Sequence, residues 1–381
     1  MRSAGACSVI LSSLSPFLRN SLVRNLTRDG LLAMEPERAH QATLMALKLG
    51  LVPPRRYRDA PELKTSLAGL ELTNPVGMAA GFDKNAEVHT ALGTIGFGLT
   101  EVGTLTPSAQ DGNRKPRLFR LMGARGIINR MGFNNEGHVP AYERLRLHGS
   151  AAMIGVNIGA NRGSEDFIAD YELGVERFAD IADYLSINIS SPNTPGLRGL
   201  QSGELLNRLL SSVLGARARQ KIRVPVFLKL APDLDQNQMD EIAATISGTD
   251  LDGLIISNTT LARETVAGFP GADEAGGLSG MPLFDLSTRT LARMRQRVGT
   301  DLPIIGVGGV HSAQSALAKF EAGANAIQLY TAFVFEGMGL LEEIKAGLVE
   351  AVRGKKHKTV ADLVGSRVDE WASTSILGSG L

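Results

Sequence analysis

One serine stands where a proton could be taken from a bound molecule. Ser191 lies in residues 188–193, where asparagines flank it and a proline follows it. A serine hydroxyl is a poor base unless the proton that it takes is acidified and the hydroxyl is coupled to water or to a neighbour. Thr194 or a buried water could supply that coupling. The sequence offers no Ser–His–Asp set, which argues against a hydrolase.

Side-chain amides and two lysines would surround this serine. The candidate amides are Asn129, Asn157, Asn188, Asn193 and Asn258. Each amide carries both donors and an acceptor, so the set suits a planar heterocycle with alternating N–H and C=O groups. Lys84 and Lys229 end apolar runs, where they could stabilise an anionic ligand or an anionic flavin ring. A Schiff base with a carbonyl substrate is the competing use of these lysines.

Glycines and hydroxyls near the C-terminus have the pattern of a phosphate site. The Gly308-Gly309 turn precedes a helical pattern that Ser312 opens, and Tyr330 and Thr331 follow the next apolar run. Backbone amides at a helix N-terminus bind phosphate groups readily. Further upstream, Gly277 and Gly280 lie in the predicted loop after the sixth apolar run and would let the backbone approach the same ligand closely. The pattern predicts a cofactor or substrate that carries a phosphate.

Composition excludes several other kinds of site. The single cysteine, Cys7, rules out a disulfide framework, a zinc cluster and a protein-ligated iron–sulfur centre, and it suits a reducing compartment. No HExxH, Walker A or GxGxxG signature follows a predicted strand. Histidines are expected as surface or cap residues, among them His40, His89, His138 and His311. The net charge of +1 argues against a general polyanion binder.

The elements that must position these residues alternate from residue 75 onward. Short apolar runs at 75–80, 98–102, 152–158, 184–189, 224–230, 251–257, 302–307 and 325–329 are each followed by helical sequence. Continuous apolar strands separated by helices indicate a parallel sheet covered on both faces. Eight such units predict an α/β fold, a (β/α)₈ TIM barrel, in which chemistry collects at the carboxyl ends of the strands. Residues 117–122 and 126–129 read as an inserted hairpin.

Two terminal segments flank the predicted barrel of residues 59–353. Residues 1–58 carry a net charge of +6, which leaves −5 for the rest of the chain. Helical patterns at 17–26 and from Pro36 to about residue 50 form a small helical extension, which could pack on the barrel or lie on an anionic membrane. No run of about 20 apolar residues exists to span a membrane. Residues 354–381, with Trp371, form a tail that is either a docking helix or disordered.

Several long motifs resemble class 2 dihydroorotate dehydrogenase, the quinone-dependent, FMN-containing enzyme of pyrimidine synthesis. They are NPVGMAAGFDK at 74–84, EVGTLTP at 101–107, PRLFRLMGARGIINRMGFNNEG at 116–137, NISSPNTPGLRGL at 188–200, GGLSGMP at 276–282 and IIGVGGV at 304–310. With MEPERAH at 34–40, the likeness spans roughly residues 35–350. The resemblance implies oxidation of (S)-dihydroorotate to orotate, with FMN accepting the hydride.

The resemblance also implies roles for individual residues. Ser191 matches the base that removes the C5 proton of the substrate, and Lys229 would stabilise negative charge on the reduced flavin. FMN would contact Ala80, Gly81, Lys84, Thr104, Asn157, Asn188, Lys229, Ser257, Gly280, Gly309, Tyr330 and Thr331. The pyrimidine would contact Lys84, Asn129, Arg130, Met131, Gly132, Phe133, Asn188, Asn193, Asn258 and Thr259. No metal is expected.

The partners follow from the same resemblance. Class 1 relatives use a cysteine base, and some pass electrons to an iron–sulfur subunit. Here Cys7 lies outside the barrel, and no iron–sulfur partner subunit is expected. The basic N-terminal helices resemble the class 2 extension that forms a tunnel for a membrane quinone, either ubiquinone or menaquinone. We therefore expect a peripheral protein on the cytoplasmic face of a bacterial inner membrane, with a mitochondrial location as the alternative. Nucleic acid is not an expected partner.

Two other functions fit parts of the pattern. A flavin barrel could act on a different reduced pyrimidine, such as dihydrouracil or dihydrouridine. An RNA-acting version would need a basic barrel face, which the −5 balance beyond residue 58 opposes. A non-redox aldolase barrel would use one of the lysines for a Schiff base, and it would lack flavin colour.

Overall fold

The computed structural model describes residues 27–55, 58–147, 149, 152–194, 196–201 and 203–374. Eight parallel strands close into a barrel. They are β3 (Val76–Asp83), β4 (Leu99–Leu105), β7 (Met153–Ile158), β8 (Tyr184–Asn188), β9 (Val226–Leu230), β10 (Gly253–Ile256), β12 (Ile304–Val307) and β13 (Ala326–Leu329). The pairing of β13 with β3, with Ile327 opposite Val76, closes the circle. All eight begin within two residues of their predicted starts, which confirms the predicted (β/α)₈ barrel.

Helices cover the outside of the barrel. They are α2 (His89–Ile95), α3 (His138–Leu147), α4 (Phe167–Phe178), α5 (Gly203–Ala218), α6 (Gln236–Ser247), α7 (Phe284–Val298), α8 (Ala313–Glu321), α9 (Thr331–Glu336) and α10 (Gly339–Gly354). Both surfaces of each strand are therefore covered; all seven residues of β4 are buried. This double burial explains why the strands read as continuous apolar runs.

Two small sheets lie at opposite ends of the barrel. The hairpin of β1 (Thr65–Leu67) and β2 (Leu70–Leu72) packs Leu67 and Leu72 against the barrel interior near the starts of the strands. At the other end, β5 (Leu118–Leu121) and β6 (Gly126–Asn129) form the predicted hairpin. A third strand, β11 (Gly277–Gly280), pairs with β6. Sequence analysis placed these glycines in a loop, because four residues with two glycines carry little strand propensity.

The N-terminal extension packs beside this three-stranded sheet. Residues 27–33 are helical, and α1 (Pro36–Lys48) begins at the predicted proline, capped by the Glu35 carboxylate. Glu37 in its first turn forms a buried ion pair with Arg117, with Oε1 and Nη2 2.8 Å apart. Because Arg117 directly precedes β5, this pair joins α1 to the start of that strand. The first predicted helix, residues 17–26, lies outside the described residues.

Part of the tail packs on the barrel. A short turn at Val360–Leu363 leads to α11 (Val368–Ser373), which lies against α7. The Trp371 ring meets Phe284 edge to face at 5.9 Å, and Arg293 Nε donates to the carbonyl of Ala372 at 3.0 Å. Of the two alternatives for the tail, the docked helix is the one observed as far as residue 374.

Candidate active site

A cavity of about 980 Å³ opens at the carboxyl ends of the barrel strands. Every strand end or the loop that follows it contributes to the wall, except at β7. The predicted residues that line it are Ala80, Gly81, Lys84, Thr104, Asn129, Met131, Gly132, Phe133, Asn188, Ser191, Asn193, Lys229, Ser257, Asn258, Thr259, Gly280, Gly309, Tyr330 and Thr331. Parallel strands bring their carboxyl ends to one face, and this is why residues far apart in the sequence meet here.

Two predicted contact residues do not reach the cavity wall. Arg130 turns away from it: its guanidinium pairs with Glu274 at 2.7 Å and lies 4.4 Å from the centre of the Phe119 ring. Asn157 is fully buried beneath the wall and bonds to the Thr104 hydroxyl at 2.5 Å. Direct ligand contact of both residues stays a prediction. The direction of the Arg130 side chain depends on Glu274, 144 residues further along the chain, so a contiguous motif does not reveal it.

Ser191 lies in the wall with only 4% of its surface exposed. Its Oγ accepts the backbone N–H of Asn193 at 3.2 Å, which leaves the hydroxyl proton free to point elsewhere. Among the described residues, no carboxylate or imidazole bonds to this Oγ. The suggested coupling to Thr194 stays a prediction. The geometry suits a base that acts on an already acidified proton.

The amides around Ser191 hold one another in fixed orientations. Asn188 Nδ2 donates to the Thr104 hydroxyl at 2.9 Å, while its Oδ1 accepts Asn258 Nδ2 at 3.3 Å. Asn258 Nδ2 also donates to Ser190 Oγ at 3.0 Å. On the opposite rim, Asn193 Nδ2 donates to the carbonyl of Asn129 at 3.2 Å. Because these amides are locked in place, they can recognise a flat polar ring without reorganising.

A buried ion pair lies beneath the centre of the site. Lys229 Nζ lies 3.2 Å from Glu101 Oε1, and both side chains are almost fully buried. Burial alone would raise the pKa of Glu101, but Lys229 and hydrogen bonds from Gln328 and Asn157 together hold that pKa below its usual range. Glu101 is therefore a charged counterion that keeps the Lys229 ammonium in place at the cavity wall.

Sequence analysis missed Glu101 and its two other partners. Tyr184 OH and Gln328 Nε2 donate to Glu101 Oε2 at 3.1 and 2.7 Å. The available signal was a single acid inside the apolar strand LTEVGTL, since a buried carboxylate requires a partner. That partner, Lys229, lies 128 residues further along the chain. The sequence could therefore indicate that Glu101 needs a partner, but it could not identify Lys229 as that partner.

The predicted phosphate end is compact and lined by backbone and hydroxyls. Ser279 Oγ and Thr331 Oγ1 lie 2.8 Å apart at the cavity wall. A methyl group on Gly309 would come within 2.3 Å of the Phe284 backbone, and one on Gly280 within 2.4 Å of the Arg125 carbonyl. Both glycines also have positive φ, at 76° and 91°. Only glycine fits here, and the resulting bare backbone cradle matches a phosphate group.

Lys84 supplies a second cation at the wall. Its Nζ donates to the Gly81 carbonyl at 2.8 Å. Burial is the main cause that lowers the pKa of Lys84 to about 8, with the nearby Glu37 carboxylate opposing it. The ammonium still predominates at pH 7. Lys84 can thus pair with an anionic group on a ligand.

A second arm of the cavity extends toward the N-terminal helix. Its wall is largely apolar and includes Ala39, Ala42, Ala46, Leu47, Leu51, Val52, Phe333 and Val334. His40 and Arg120 are polar exceptions. The pKa of His40 is lowered to about 3, mainly by burial, so this ring is neutral at pH 7. Arg120 donates from Nη1 to the Met34 carbonyl at 2.7 Å, while its buried Nε has no partner among the described residues.

The expectation of surface or cap histidines is wrong for His40, which lies within α1. His40 lines the cavity and meets Phe82 edge to face at 5.4 Å. His89 and His138 are 2% and 4% exposed. The sequence of an amphipathic helix does not show which face packs on the rest of the protein. His40 lies on the face of α1 that is turned toward the cavity. Within the described residues, no three His, Cys, Asp or Glu side chains converge as a metal site.

Comparisons with known proteins decide the family. Residues 62–352 match the family model described as dihydroorotate dehydrogenase. The chain belongs to the dihydroorotate dehydrogenase family. A Rhizobium johnstonii protein named dihydroorotate dehydrogenase (quinone) is 53% identical over 357 residues, which cover 93% of this chain and 99% of that protein. A Rhizobium meliloti protein of the same name is 54% identical over 358 residues, with the same coverage of both chains.

Solved structures agree with this assignment to the dihydroorotate dehydrogenase family. The crystal structure of DHODH in complex with ferulenol from Eimeria tenella matches with a TM-score of 0.85 at 35% identity. The match covers 89% of this chain and 98% of that chain. The resemblance drawn from the sequence motifs is therefore confirmed.

Proposed function

We propose that this chain oxidises (S)-dihydroorotate to orotate in pyrimidine biosynthesis, with FMN as the hydride acceptor and a membrane quinone as the final electron acceptor. The observation that carries the proposal is a single cavity with two chemically different arms. One arm holds Ser191 and the locked amides, and the other is apolar and lined by α1. A barrel-mouth cofactor between them would face a polar substrate on one side and an apolar oxidant on the other.

The residues present fit FMN. Its phosphate would lie against Gly309, Gly280 and Thr331, which line the cavity with backbone and a hydroxyl group. Its ring would lie against Ala80, Gly81, Thr104, Asn188 and Ser257, with Lys229 beside it. FMN, when bound, accepts a hydride from the substrate and releases electrons to an oxidant. The Lys229 ammonium favours negative charge at this position, because Glu101 holds it there in a water-poor environment.

Ser191 would take the C5 proton of the substrate. That proton is α to a carbonyl, so it is more acidic than an ordinary C–H. Asn129, Asn193 and Asn258 would hold the pyrimidine through its N–H and C=O groups, and Lys84 would pair with its carboxylate. A fixed substrate 3–3.5 Å from the base needs little further ordering to react.

The apolar arm would admit the quinone. Its alkyl-rich wall suits a lipid-soluble ring, and Arg120 and His40 add polar groups to that wall. The Arg120 Nε–H, which has no partner among the described residues, could donate to a quinone carbonyl, since a buried donor without a partner is costly. The neutral His40 ring also lines the cavity, with its centre 5.4 Å from that of Phe82 and 6.3 Å from that of Tyr330.

The outer face of α1 would lie on a membrane surface. Met45, Leu49 and Leu51 are 55%, 64% and 70% exposed around its C-terminal end. With the basic N-terminal residues, these side chains suit a peripheral contact with anionic lipid at the cytoplasmic face of a bacterial inner membrane. No helix among the described residues has the length and apolar character needed to cross a bilayer.

Anaerobic mixing tests substrate, cofactor and acceptor together. The purified protein should carry flavin colour, and dihydroorotate should bleach it with formation of orotate. A soluble quinone should then restore the colour, whereas NAD and fumarate should not. Absence of bleaching would refute the substrate, and faster recovery with NAD or fumarate would refute the quinone.

A further inference from the structure

Arg198 reaches back from the turn Leu197–Gln201 to the loop that carries Ser191. Its Nε donates to the Ser190 carbonyl at 3.1 Å. Its Nη2 donates to the Thr259 carbonyl at 3.1 Å, and its Nη1 pairs with Asp233 Oδ2 at 2.9 Å. One guanidinium thus joins the segments that follow three successive strands, β8, β9 and β10.

Asp233 strengthens this connection from the segment after β9. Besides Arg198, its carboxylate accepts the backbone N–H of Leu261 at 3.2 Å and the hydroxyl of Thr260. The Arg198–Asp233 pair therefore spans the gap between the Ser191 loop and the loop of Asn258 and Thr259. Both partners are partly exposed, at 23% each, so the ion pair by itself adds little stability.

The bonded carbonyls belong to Ser190, next to the proposed base, and to Thr259, one of the proposed pyrimidine contacts. Ser190 directly precedes Ser191, and Thr259 directly follows Asn258. The Ser190 hydroxyl also accepts a hydrogen bond from Asn258 Nδ2 at 3.0 Å. The loop of Ser191 and the loop of Asn258 are therefore joined both by this bond and by Arg198. Displacing either loop would change the distance between Ser191 and a ring bound by the amides.

We infer that Arg198 is a positioning residue that sets Ser191 against the pyrimidine-binding amides. This inference rests on the proposed function. Arginine suits the role because its planar fork presents several N–H donors at fixed angles, whereas lysine offers a single flexible ammonium. A displacement of about 1 Å at a reacting group can cost about 10²-fold in rate. Arg198 does not itself line the cavity, so it acts through the two backbone carbonyls.

The test measures flavin reduction by dihydroorotate in anaerobic stopped flow with Arg198→Ala. We expect the limiting reduction rate to fall about 10- to 100-fold, with flavin content and thermal unfolding close to wild type. Guanidinium ion, at concentrations that leave the wild-type rate unchanged, should restore part of the rate. Arg198→Lys should remain slow, because a lysine cannot bridge both carbonyls.

Two further variants make the result specific. Asp233→Asn keeps Arg198 and its two carbonyl partners but removes the negative charge that pairs with Arg198. We expect the limiting rate of flavin reduction to lie between those of wild type and Arg198→Ala. Arg297→Ala removes a matched surface arginine that pairs with Asp240 at 2.6 Å on the helical layer, and it should neither slow reduction nor respond to guanidinium.

The outcomes separate this inference from the proposed function. If dihydroorotate fails to reduce the wild-type flavin, the proposed function is wrong. If wild type is reduced and Arg198→Ala matches its limiting rate, the positioning role is wrong. Full activity in Arg198→Lys, or a loss in Arg198→Ala that guanidinium does not relieve, would also overturn it.

Discussion

The buried Glu101–Lys229 pair allows a quantitative test of what holds the floor of the site. Glu101→Gln removes the negative charge but keeps the shape of the side chain. At 3.2 Å, and with an effective dielectric constant of about 20, the lost Coulomb attraction is about 5 kcal/mol. Loss of one partner of a buried pair commonly costs about 3–5 kcal/mol, because the remaining charge stays buried without compensation.

The expected change is large enough to see by calorimetry. Unfolding entropy of about 2.1 cal/mol/K per residue gives about 0.8 kcal/mol/K for this chain, so Glu101→Gln should lower Tm by about 4–6 °C. The double variant Glu101→Gln, Lys229→Met removes both charges and should recover most of that loss. The flavin-free form of each variant should be compared, so that ligand binding does not add stability unequally.

Two results would refute this reasoning. A Tm within 1 °C of wild type for Glu101→Gln would mean that the carboxylate does not compensate Lys229. A double variant as unstable as the single one would mean that the loss comes from the hydrogen bonds of Glu101 rather than from its charge. Glu101 is ionised in the folded chain, so its contribution should also fade as pH falls through its lowered pKa.

Three other changes test separate parts of the molecule. Ser191→Ala should keep flavin bound but slow its reduction by dihydroorotate about 10²-fold or more, as loss of a general base does; near-normal single-turnover reduction would place the base elsewhere. Ala46→Trp should fill the apolar arm and slow reoxidation by quinone without slowing reduction, whereas Met45→Trp on the exposed side of α1 should change neither; equal effects would argue against the arm as the quinone path. Because burial lowers the pKa of His40 to about 3, the unfolded chain binds a proton below about pH 6.5 that the folded chain does not. Stability should therefore rise with pH between about 3 and 6.5, by up to about 1.4 kcal/mol per pH unit from this residue, and His40→Asn should flatten that slope in urea titrations; an unchanged slope would show that His40 titrates normally.

The barrel could be predicted from the sequence because its strands carry a local signature. Strands buried on both faces must be apolar throughout, and the helices between them must be amphipathic, so both appear in short windows. The strand β11 could not be predicted from the sequence, because its stability comes from pairing with β6, about 150 residues earlier, and not from its own glycine-rich residues.

The candidate site could be predicted in part for a related reason. Polar residues that end apolar strands must converge once the barrel closes, and this places Ser191, Lys84 and Lys229 at one mouth. The outward direction of Arg130, the covered position of His40 and the reach of Arg198 could not be read in the same way. Each depends on a partner that is remote in the chain or on another element, such as Glu274 for Arg130.

The sequence by itself determined which chemical groups end the strands, because residue type and periodicity are local properties. The tertiary structure decided which of these groups face the cavity and which charges compensate one another, since burial and distance exist only after the chain has folded. Glu101 illustrates the division: its presence in an apolar strand is visible in the sequence, but its pairing with Lys229 requires the closed barrel.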